Sequence, residues 1–326
     1  MIISKTPLRV SFAGGGSDFK DYYRLKYGAV VSSAVDKYIY VTVNRKFDDL
    51  IRLSYSQTEI VDDVEKIEHN LIREAMKLTG VTKGVDISYM SDMLPALEGT
   101  GLGASSALAV GILNALHAFK GERVPTSKLA EEASKIEIEI LKHPMGKQDH
   151  YPAAFGNLNF IKFNPDETVC VEPVICNPEA KKALNDNLLL FYTGISSSSA
   201  SILPEQKQKI ETNCQVLDKI VGLVEELRQC FCNNDFKNFG DILHQGWELK
   251  QKFASNISNN LINNYYQKAM EAGAEGGKIL GSGGGGFLLF YCPKEKQNRV
   301  RQVLANLKET QFRFEAEGSK IVYVDS

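Results

Sequence analysis

Three glycine-rich segments of the chain have the composition of an anion-binding site. They read FAGGGSD at residues 12–18, LEGTGLGASSAL at 97–108 and LGSGGGGF at 280–287. The second runs into a helical pattern, and such a loop offers unpaired backbone N–H groups and the positive end of a helix dipole to a phosphate. The motif G-x-x-x-x-G-K-[ST] does not fit, because Ala104 and not Lys follows Gly103. The pattern predicts phosphate binding without naming a family.

The third glycine segment also has the spacing of a dinucleotide-binding loop. Gly281, Gly283 and Gly286 match G-x-G-x-x-G, but that loop must follow a strand and open a helix. Here the apolar run FLLFYC follows, which is typical of a strand, so we reject dinucleotide binding. A single glycine cluster can serve only a tight turn or close packing. Three clusters, each beside Ser or Asp, favour one site where the backbone approaches a ligand.

Length, composition and charge limit the class of protein. The 326 residues are enough for two domains, and 43% of them are hydrophobic. The 38 basic and 40 acidic residues leave a formal net charge of −2, which gives no reason to expect nucleic acid as a partner. No apolar run of about 18 residues predicts a membrane span. The N-terminus alternates like a strand instead of a signal peptide, and six cysteines without a C-x-x-C pair predict free thiols, so we expect a cytoplasmic protein.

The elements that must position these segments alternate between strands and helices. Leu8, Val10 and Phe12 alternate with polar or small residues, which predicts a first strand that buries them and presents Arg9 on its other face. The run SSALAVGILNALHAF after the second glycine loop is apolar nearly all round, which predicts a buried helix.

The second half of the chain begins after a polar segment at residues 177–187, NPEAKKALNDN. The short apolar run LLLFYTG predicts a strand, and residues 204–272 have an almost entirely helical pattern. A helix around residues 294–307 and a last strand, KIVYVD, complete a mixed α+β architecture in two lobes.

These glycine segments and their flanks resemble the motifs of the GHMP kinases. The first motif appears as Pro7-Leu8-Arg9-Val10 before the glycines of 14–18, the second as Pro95 before GLGASSA, and the third as KILGSGGGG at 278–286. Their order and spacing match over nearly the whole chain. One departure is Ala104, which replaces the first Ser of the usual pair and moves the hydroxyls to Ser105 and Ser106.

This resemblance implies the two-lobed α+β fold of the GHMP kinases. The N-terminal lobe, residues 1–186, would resemble ribosomal protein S5 and bind ATP. The C-terminal lobe, residues 187–326, would be an α/β domain of the ferredoxin-like kind. The implied ligands are ATP with Mg²⁺ and a small sugar phosphate, with neither nucleic acid nor a membrane as partner.

The resemblance places ATP on the second motif, with Mg²⁺ beside it. The residues that would bind ATP are Gly99, Thr100, Gly101, Leu102, Gly103, Ala104, Ser105 and Ser106. Mg²⁺ prefers oxygen ligands and keeps several waters, so one hydroxyl and one carboxylate suffice from the protein. Family alignment gives these roles to Ser105 and Glu137. From sequence alone, Glu131, Glu132 and Glu139 compete with Glu137, and each could be an ordinary solvated carboxylate.

Asp149, in the segment MGKQDHYPAAFG, occupies the position of the superfamily's catalytic Asp. A carboxylate there can accept the proton of the acceptor hydroxyl during phosphoryl transfer. Arg9, at the basic position of the first strand, would pair with it and hold it ionised. An isolated Asp could instead belong to a surface turn, and a mechanism without a base also occurs in this superfamily. The presence of Asp149 favours the base.

Within the superfamily, TPLRVSFAGGGSDFKDYY and HPMGKQDHYPAAFGN resemble segments of the heptose phosphate kinases. The implied reaction is transfer from ATP to the anomeric C1 hydroxyl of D-glycero-D-manno-heptose 7-phosphate. Two alternatives stay open: a fucokinase- or galactokinase-like enzyme for an unphosphorylated sugar, and a sugar- and ATP-binding regulator without catalysis. The expected acceptor-binding residues are Asp18, Gly15, Gly16, Ser17, Lys147, Thr193, Gly194, Gly283 and Gly284.

The distal phosphate of such an acceptor needs cations that the sequence does not identify. Lys147 and Arg24 are the leading candidates, and a solvated surface role is an equal alternative for Arg24. The sequence leaves the oligomeric state open, a homodimer included.

Overall fold

The structure is a computed structural model that describes residues 1–93, 99–196, 199–210 and 212–325, with the side chains of residues 199–201 left out. Pro95 of the second motif lies outside the described residues, as do Leu97 and Glu98 at the start of the glycine loop.

In the first half of the described chain, strands and helices are interspersed. In the second half, four consecutive helices stand between two strands. The strands are β1 (Ile2–Ala13), β2 (Gly28–Arg45), β3 (Ile51–Ser54), β4 (Thr58–Val61), β5 (Val85–Ser91), β6 (Leu158–Phe163), β7 (Val169–Pro173), β8 (Leu188–Tyr192), β9 (Gly276–Ile279), β10 (Phe287–Tyr291), β11 (Lys308–Glu309) and β12 (Lys320–Val324). The α-helices are α1 (Lys20–Tyr23), α2 (Asn70–Thr79), α3 (Ala104–Phe119), α4 (Thr126–Ser134), α5 (His150–Phe155), α6 (Pro178–Asp186), α7 (Ser199–Gln208), α8 (Cys214–Cys232), α9 (Phe239–Gln251), α10 (Asn260–Ala272) and α11 (Gln297–Val303). A 3₁₀ turn spans Val64–Lys66, and a π-helical turn spans Lys135–Ile140.

The strands form two sheets. The first runs in the order β12-β1-β2-β5-β3-β4, with β6 pairing with β2 and β7 with β6. Its pairs are antiparallel except for β3 with β5. The second is antiparallel in the order β11-β8-β10-β9. Two sheets with helices packed on them confirm the predicted two-lobed α+β class.

The first strand buries Leu8, Val10 and Phe12 and presents Arg9 on its other face, as predicted. Arg9 is buried as well, with 4% of its surface exposed. Helix α3 packs against β1, and α5, α8 and α9 also contact it, so residues 6–13 of the strand are buried on both faces. A buried guanidinium requires a partner, and the site described below supplies one.

Helix α3 is buried on nearly all sides, as its sequence predicts. Its N-cap is Gly103, which has a left-handed backbone with φ 73° and provides no side-chain cap for the first turn. Glycine takes this conformation at little cost, whereas a side chain there would be strained. The first N–H groups of α3 are therefore left for a ligand.

The polar segment at residues 177–187 forms helix α6, where the sequence reading saw only a break in the pattern. Asn177 caps this helix through a side-chain bond from the N–H of Ala180, and Pro178 occupies its first turn. Only Leu184 is buried along its length, so the burial signal is weak. The N-cap at Asn177 and the proline in the first turn therefore indicate this helix better than an apolar face does.

The chain returns to the first sheet at its C-terminal end. Strand β12 pairs with β1, and Phe314 bridges to Val35 of β2. The division near residue 187 stays a proposal, and the sheets assign the final strand to the first lobe. Among the described residues, no helix has the length and hydropathy needed to cross a membrane.

Candidate active site

A cavity of about 800 Å³ lies where the glycine segments meet. It is lined by parts of all three, by segment 143–149 and by residues of helices α8 and α9. The predicted residues in its wall are Arg9, Gly15, Gly16, Asp18, Gly99, Thr100, Gly101, Gly103, Ala104, Ser105, Ser106, Glu137 and Asp149.

The third glycine segment packs directly on the second. A Cβ added at Gly101 would lie 2.4 Å from the carbonyl oxygen of Leu280, and one at Gly286 would lie 2.4 Å from that of Thr100. These glycines let two backbones touch, and the loop ending at Gly103 then enters α3 with its N–H groups facing the cavity. Leu102, also predicted to bind ATP, is fully buried beneath the loop.

Arg9 and Asp149 form the ion pair that the resemblance predicts. The Arg9 Nε and NH2 groups donate to the two carboxylate oxygens of Asp149 at 2.9 and 2.7 Å. Arg9 also donates to the carbonyl oxygen of Gly101. This bidentate geometry orients the Asp149 carboxylate, which is 17% exposed, on the cavity wall beside the phosphate-binding loop.

Glu137 is fully buried at the end of a hydrogen-bond network. Ser105 donates to its Oε1, Ser106 donates to its Oε2 at 2.7 Å, and His150 Nε2 lies 2.8 Å from Oε2. The other ring nitrogen of His150 is 3.1 Å from the carbonyl oxygen of Lys147. Both nitrogens thus face acceptors, which suits a protonated imidazole ring.

Glu137 and His150 each stabilise the charged form of the other. Burial alone would raise the pKa of Glu137, but interactions with His143, His150 and Ser105 outweigh burial and hold that pKa well below its ordinary value. Burial alone would lower the pKa of His150, and the bond to Glu137 reverses this and raises it. Glu137 and His150 are therefore a buried carboxylate–imidazolium pair.

The oxygen atoms of Ser105 and Glu137 fit a Mg²⁺ ion that takes few protein ligands. Ser105 is exposed in the cavity wall, whereas Ser106 is buried with 1% exposure. Because His150 and Ser106 occupy Oε2 of Glu137, Oε1 is the oxygen shared with the exposed Ser105. One carboxylate and one hydroxyl match what Mg²⁺ requires when phosphates and waters fill its other positions.

This exposure difference predicts distinct effects for the two serines. Ser105→Ala should raise the Mg²⁺ concentration needed for half-maximal turnover, since it removes a cavity-facing oxygen. Ser106→Ala should chiefly lower stability, because it breaks a buried bond to Glu137. Mg²⁺ titrations of activity and urea unfolding of both variants measure these effects. A raised Mg²⁺ requirement in Ser106→Ala alone would reverse the assignment.

Asp18 lies in the cavity wall, but its carboxylate accepts hydrogen bonds from the protein itself. The backbone N–H of Gly16 and the side chain of Gln148 donate to Oδ1 at 2.9 and 3.0 Å, and the Gln148 N–H donates to Oδ2 at 3.1 Å. Burial raises the pKa of Asp18, and the charge of Asp149 adds to that effect. Asp18 therefore joins the first glycine segment to the segment that carries Asp149.

Six of the expected acceptor-binding residues lie outside the cavity wall. The hydroxyl of Ser17 donates to the carbonyl oxygens of Gly14 and Ala29, and that of Thr193 donates to the carbonyl oxygen of Gly286. The Lys147 ammonium points to Glu167, 4.0 Å away. Gly194, Gly283 and Gly284 complete this set. Arg24 also pairs with Glu167, and neither of these two residues lines the cavity.

The cavity wall also includes polar residues to which the sequence analysis assigns no role, and Lys250, Lys278 and Gln148 are the ones that bear on the site. Lys250 comes from helix α9, Lys278 from β9 and Gln148 from the segment before α5. Lys250 and Gln148 look like ordinary polar residues in the sequence, and nothing in their spacing marks them. Lys278 opens the third motif, which is the one signal that could have found it.

Family profiles match both halves of the chain. The profile described as GHMP kinases N terminal domain covers residues 64–157, and the one described as GHMP kinases C terminal covers residues 223–310. These ranges contain the phosphate-binding loop, Glu137, Asp149, Lys250 and the third glycine segment.

Characterised relatives match the chain over almost its whole length. A D-glycero-alpha-D-manno-heptose 7-phosphate kinase of Campylobacter jejuni is 28% identical over 98% of each chain. A galactokinase of Pyrococcus furiosus is 25% identical over 97% of this chain and 96% of its own.

Solved structures also match the fold over nearly the whole chain. A structure titled as a D-glycero-D-manno-heptose 1-phosphate kinase from Bacteroides thetaiotaomicron superposes with a TM-score of 0.82 at 25% identity, covering 100% of both chains. A phosphomevalonate kinase of Streptococcus pneumoniae, at 15% identity and TM-score 0.78, covers 99% of this chain and 100% of its own, and bears on the fold alone.

Proposed function

The chain belongs to the GHMP kinases and is an ATP-dependent sugar kinase, and from this premise we propose that it phosphorylates the anomeric C1 hydroxyl of D-glycero-D-manno-heptose 7-phosphate to give the 1,7-bisphosphate. The observation that carries the proposal is the Arg9–Asp149 pair, which orients a carboxylate toward the cavity beside the loop that opens α3. The heptose 7-phosphate kinase relative, matched end to end, supports the choice of acceptor.

Asp149 acts on the acceptor in this proposal. Its carboxylate takes the proton of the C1 hydroxyl while that oxygen forms a bond to the γ-phosphorus of ATP. The bond from the γ-phosphorus to the bridging oxygen breaks, and its electron pair leaves with ADP. Arg9 fixes the Asp149 carboxylate through two hydrogen bonds, so the base is oriented before the acceptor arrives.

The loop at residues 99–106 holds the donor. Its backbone N–H groups and the dipole of α3 attract the phosphates of ATP. Ser105 and Glu137 would hold Mg²⁺, which, when bound, neutralises charge on the β- and γ-phosphates. His150 keeps Glu137 oriented and ionised from the side opposite the cavity.

A panel of acceptors tests the proposed substrate. We expect kcat/KM for the heptose 7-phosphate to exceed that for heptose, fucose and galactose, because binding of a distal phosphate helps to orient the C1 hydroxyl. A coupled assay of ADP release at equal sugar concentrations measures the ratios. Preference for fucose or galactose would overturn the heptose assignment, and a lack of ADP release with every sugar of the panel would favour a regulator instead of a kinase.

A further inference from the structure

Lys250 lies in the last turn of α9 and lines the cavity. Its ammonium group donates a hydrogen bond to the carbonyl oxygen of Gly281. Gly281 in turn packs on the phosphate-binding loop, since a Cβ added there would lie 2.4 Å from the Cα of Gly101. Lys250 is thus attached to the backbone that supports the loop.

The positive charge of Lys250 has no carboxylate beside it. Among the described residues, no acidic oxygen lies within the 4.0 Å of an ion pair from its Nζ. The charged groups that act on it are Arg9, Asp149, Asp18 and Lys278. Both carboxylates in this set are already engaged, Asp149 by Arg9 and Asp18 by Gly16 and Gln148.

Lys278 is a second basic residue of the cavity wall that has no ion-pair partner among the described residues. Lys278 is 8% exposed, and its Nζ donates to the carbonyl oxygen of Phe12 at 3.2 Å. Three basic side chains, Arg9, Lys250 and Lys278, therefore lie near two carboxylates, those of Asp18 and Asp149, while the third carboxylate of the wall, Glu137, is paired with His150. Lys278 is buried and Lys250 partly buried, and an ammonium group held away from water without a counter-ion is unfavourable, so this region is arranged to receive an anion.

The electrostatics of Lys250 agree with this arrangement. Burial, aided by repulsion from Arg9, lowers its pKa to about 8, against the attraction of Asp149 and Asp18. An anion that contacted the ammonium group would stabilise its charged form.

The position of Lys250 limits which anion this is. In the proposed function the loop at 99–106 holds ATP and the acceptor hydroxyl lies at Asp149, and both places are on the cavity wall. Lys250 is joined to the first through Gly281 and lies within electrostatic range of the second. The phosphoryl group in transfer is the anion that passes between them.

Building on the proposed function, we infer that Lys250 is a further catalytic residue, whose ammonium group donates hydrogen bonds to the nonbridging oxygens of the phosphoryl group as it moves from ATP to the acceptor. Lys250 makes no covalent bond and transfers no proton in this step. It stabilises charge on the transferred group, while Asp149 accepts the proton and ADP leaves with the bridging oxygen.

The test compares Lys250→Met and Lys250→Arg with Lys252→Met in the full chain. Lys252 directly follows the last residue of α9 and is exposed, which makes it a matched control. Lys250→Met should lower kcat about 10²-fold, the usual effect of removing one such donor, while the Kd for Mg·ATP and the unfolding midpoint stay near wild type. Lys250→Arg should recover much of the activity, and Lys252→Met should behave as wild type.

The pH profile gives a readout that a structural role would not produce. As pH rises through about 8, the Lys250 ammonium of the free enzyme loses its proton, so wild-type kcat/KM should fall. Lys250→Arg should lack this fall, because Arg keeps its charge there.

The assay is run with heptose 7-phosphate and with heptose. An equal loss of kcat on both acceptors supports contact with the transferred group. A loss confined to KM for the phosphorylated acceptor would overturn the inference, since Lys250 would then bind the distal phosphate. Wild-type turnover in Lys250→Met would also overturn it and leave the proposed function intact. Absence of ADP release by the wild type with either sugar would overturn both.

Discussion

Replacement of Asp149 by Asn is expected to lower kcat at least about 10²-fold, the scale of general acid–base catalysis, without loss of the fold or of ATP binding. Asn keeps the shape of the side chain and one acceptor oxygen for Arg9, but it cannot take a proton from the acceptor. The change also removes the counter-ion of the buried Arg9, which keeps its hydrogen bond to Gly101, so the unfolding midpoint should fall while the protein stays folded.

Asp166→Asn supplies the matched control for this prediction. Asp166 is exposed in the turn between β6 and β7, so the same chemical change there should leave turnover unchanged. Steady-state kinetics, nucleotide titration and circular dichroism separate the possible effects. Near-normal turnover in a folded Asp149→Asn protein would remove the base and favour electrostatic stabilisation alone.

Replacement of Glu137 by Gln should damage both stability and metal dependence. The change leaves the imidazolium of His150 buried without its counter-ion, and loss of one partner of a buried pair typically costs about 3 kcal/mol or more. It also removes the charged oxygen that faces Ser105, so the Mg²⁺ requirement should rise.

Glu139→Gln is the control for the effect at Glu137. Glu139 lies in the same π-helical turn but is exposed, and its replacement should leave both quantities unchanged. Urea unfolding and Mg²⁺ titration of activity measure the two effects. If Glu137→Gln unfolded at the wild-type urea concentration, the buried ion pair would not contribute to stability as described.

The sequence predicted the glycine loop that enters α3 and the burial of that helix because both are local patterns. Alternating apolar residues and glycines before a helix are read within a short window, and the structure confirms β1 and α3 at those places. The Arg9–Asp149 contact joins residues 140 positions apart, so only the family resemblance could propose it. The same holds for the pairing of Glu137 with Ser105, which are 32 positions apart.

Glu137 continues the spacing of three and four residues along the buried face of α4, which includes Ala133 and Ser134, whereas Glu139 is exposed. Helical periodicity therefore agrees with the inward position of Glu137, but a carboxylate at an inward position is unusual enough that the sequence alone did not select it. Lys250 was missed for a related reason: it stands near Lys252 in the run WELKQK, and its direction depends on how α9 packs against β9.

The position of the new phosphate on the product distinguishes phosphorylation of the anomeric hydroxyl from any other transfer. The enzyme is incubated with ATP, Mg²⁺ and D-glycero-D-manno-heptose 7-phosphate, and the product is examined by ³¹P and ¹H NMR. We expect a phosphate on C1, seen as coupling between phosphorus and the anomeric proton, with one ADP formed for each product molecule. Phosphate on any other hydroxyl, or ADP formed without a phosphorylated sugar, would contradict it.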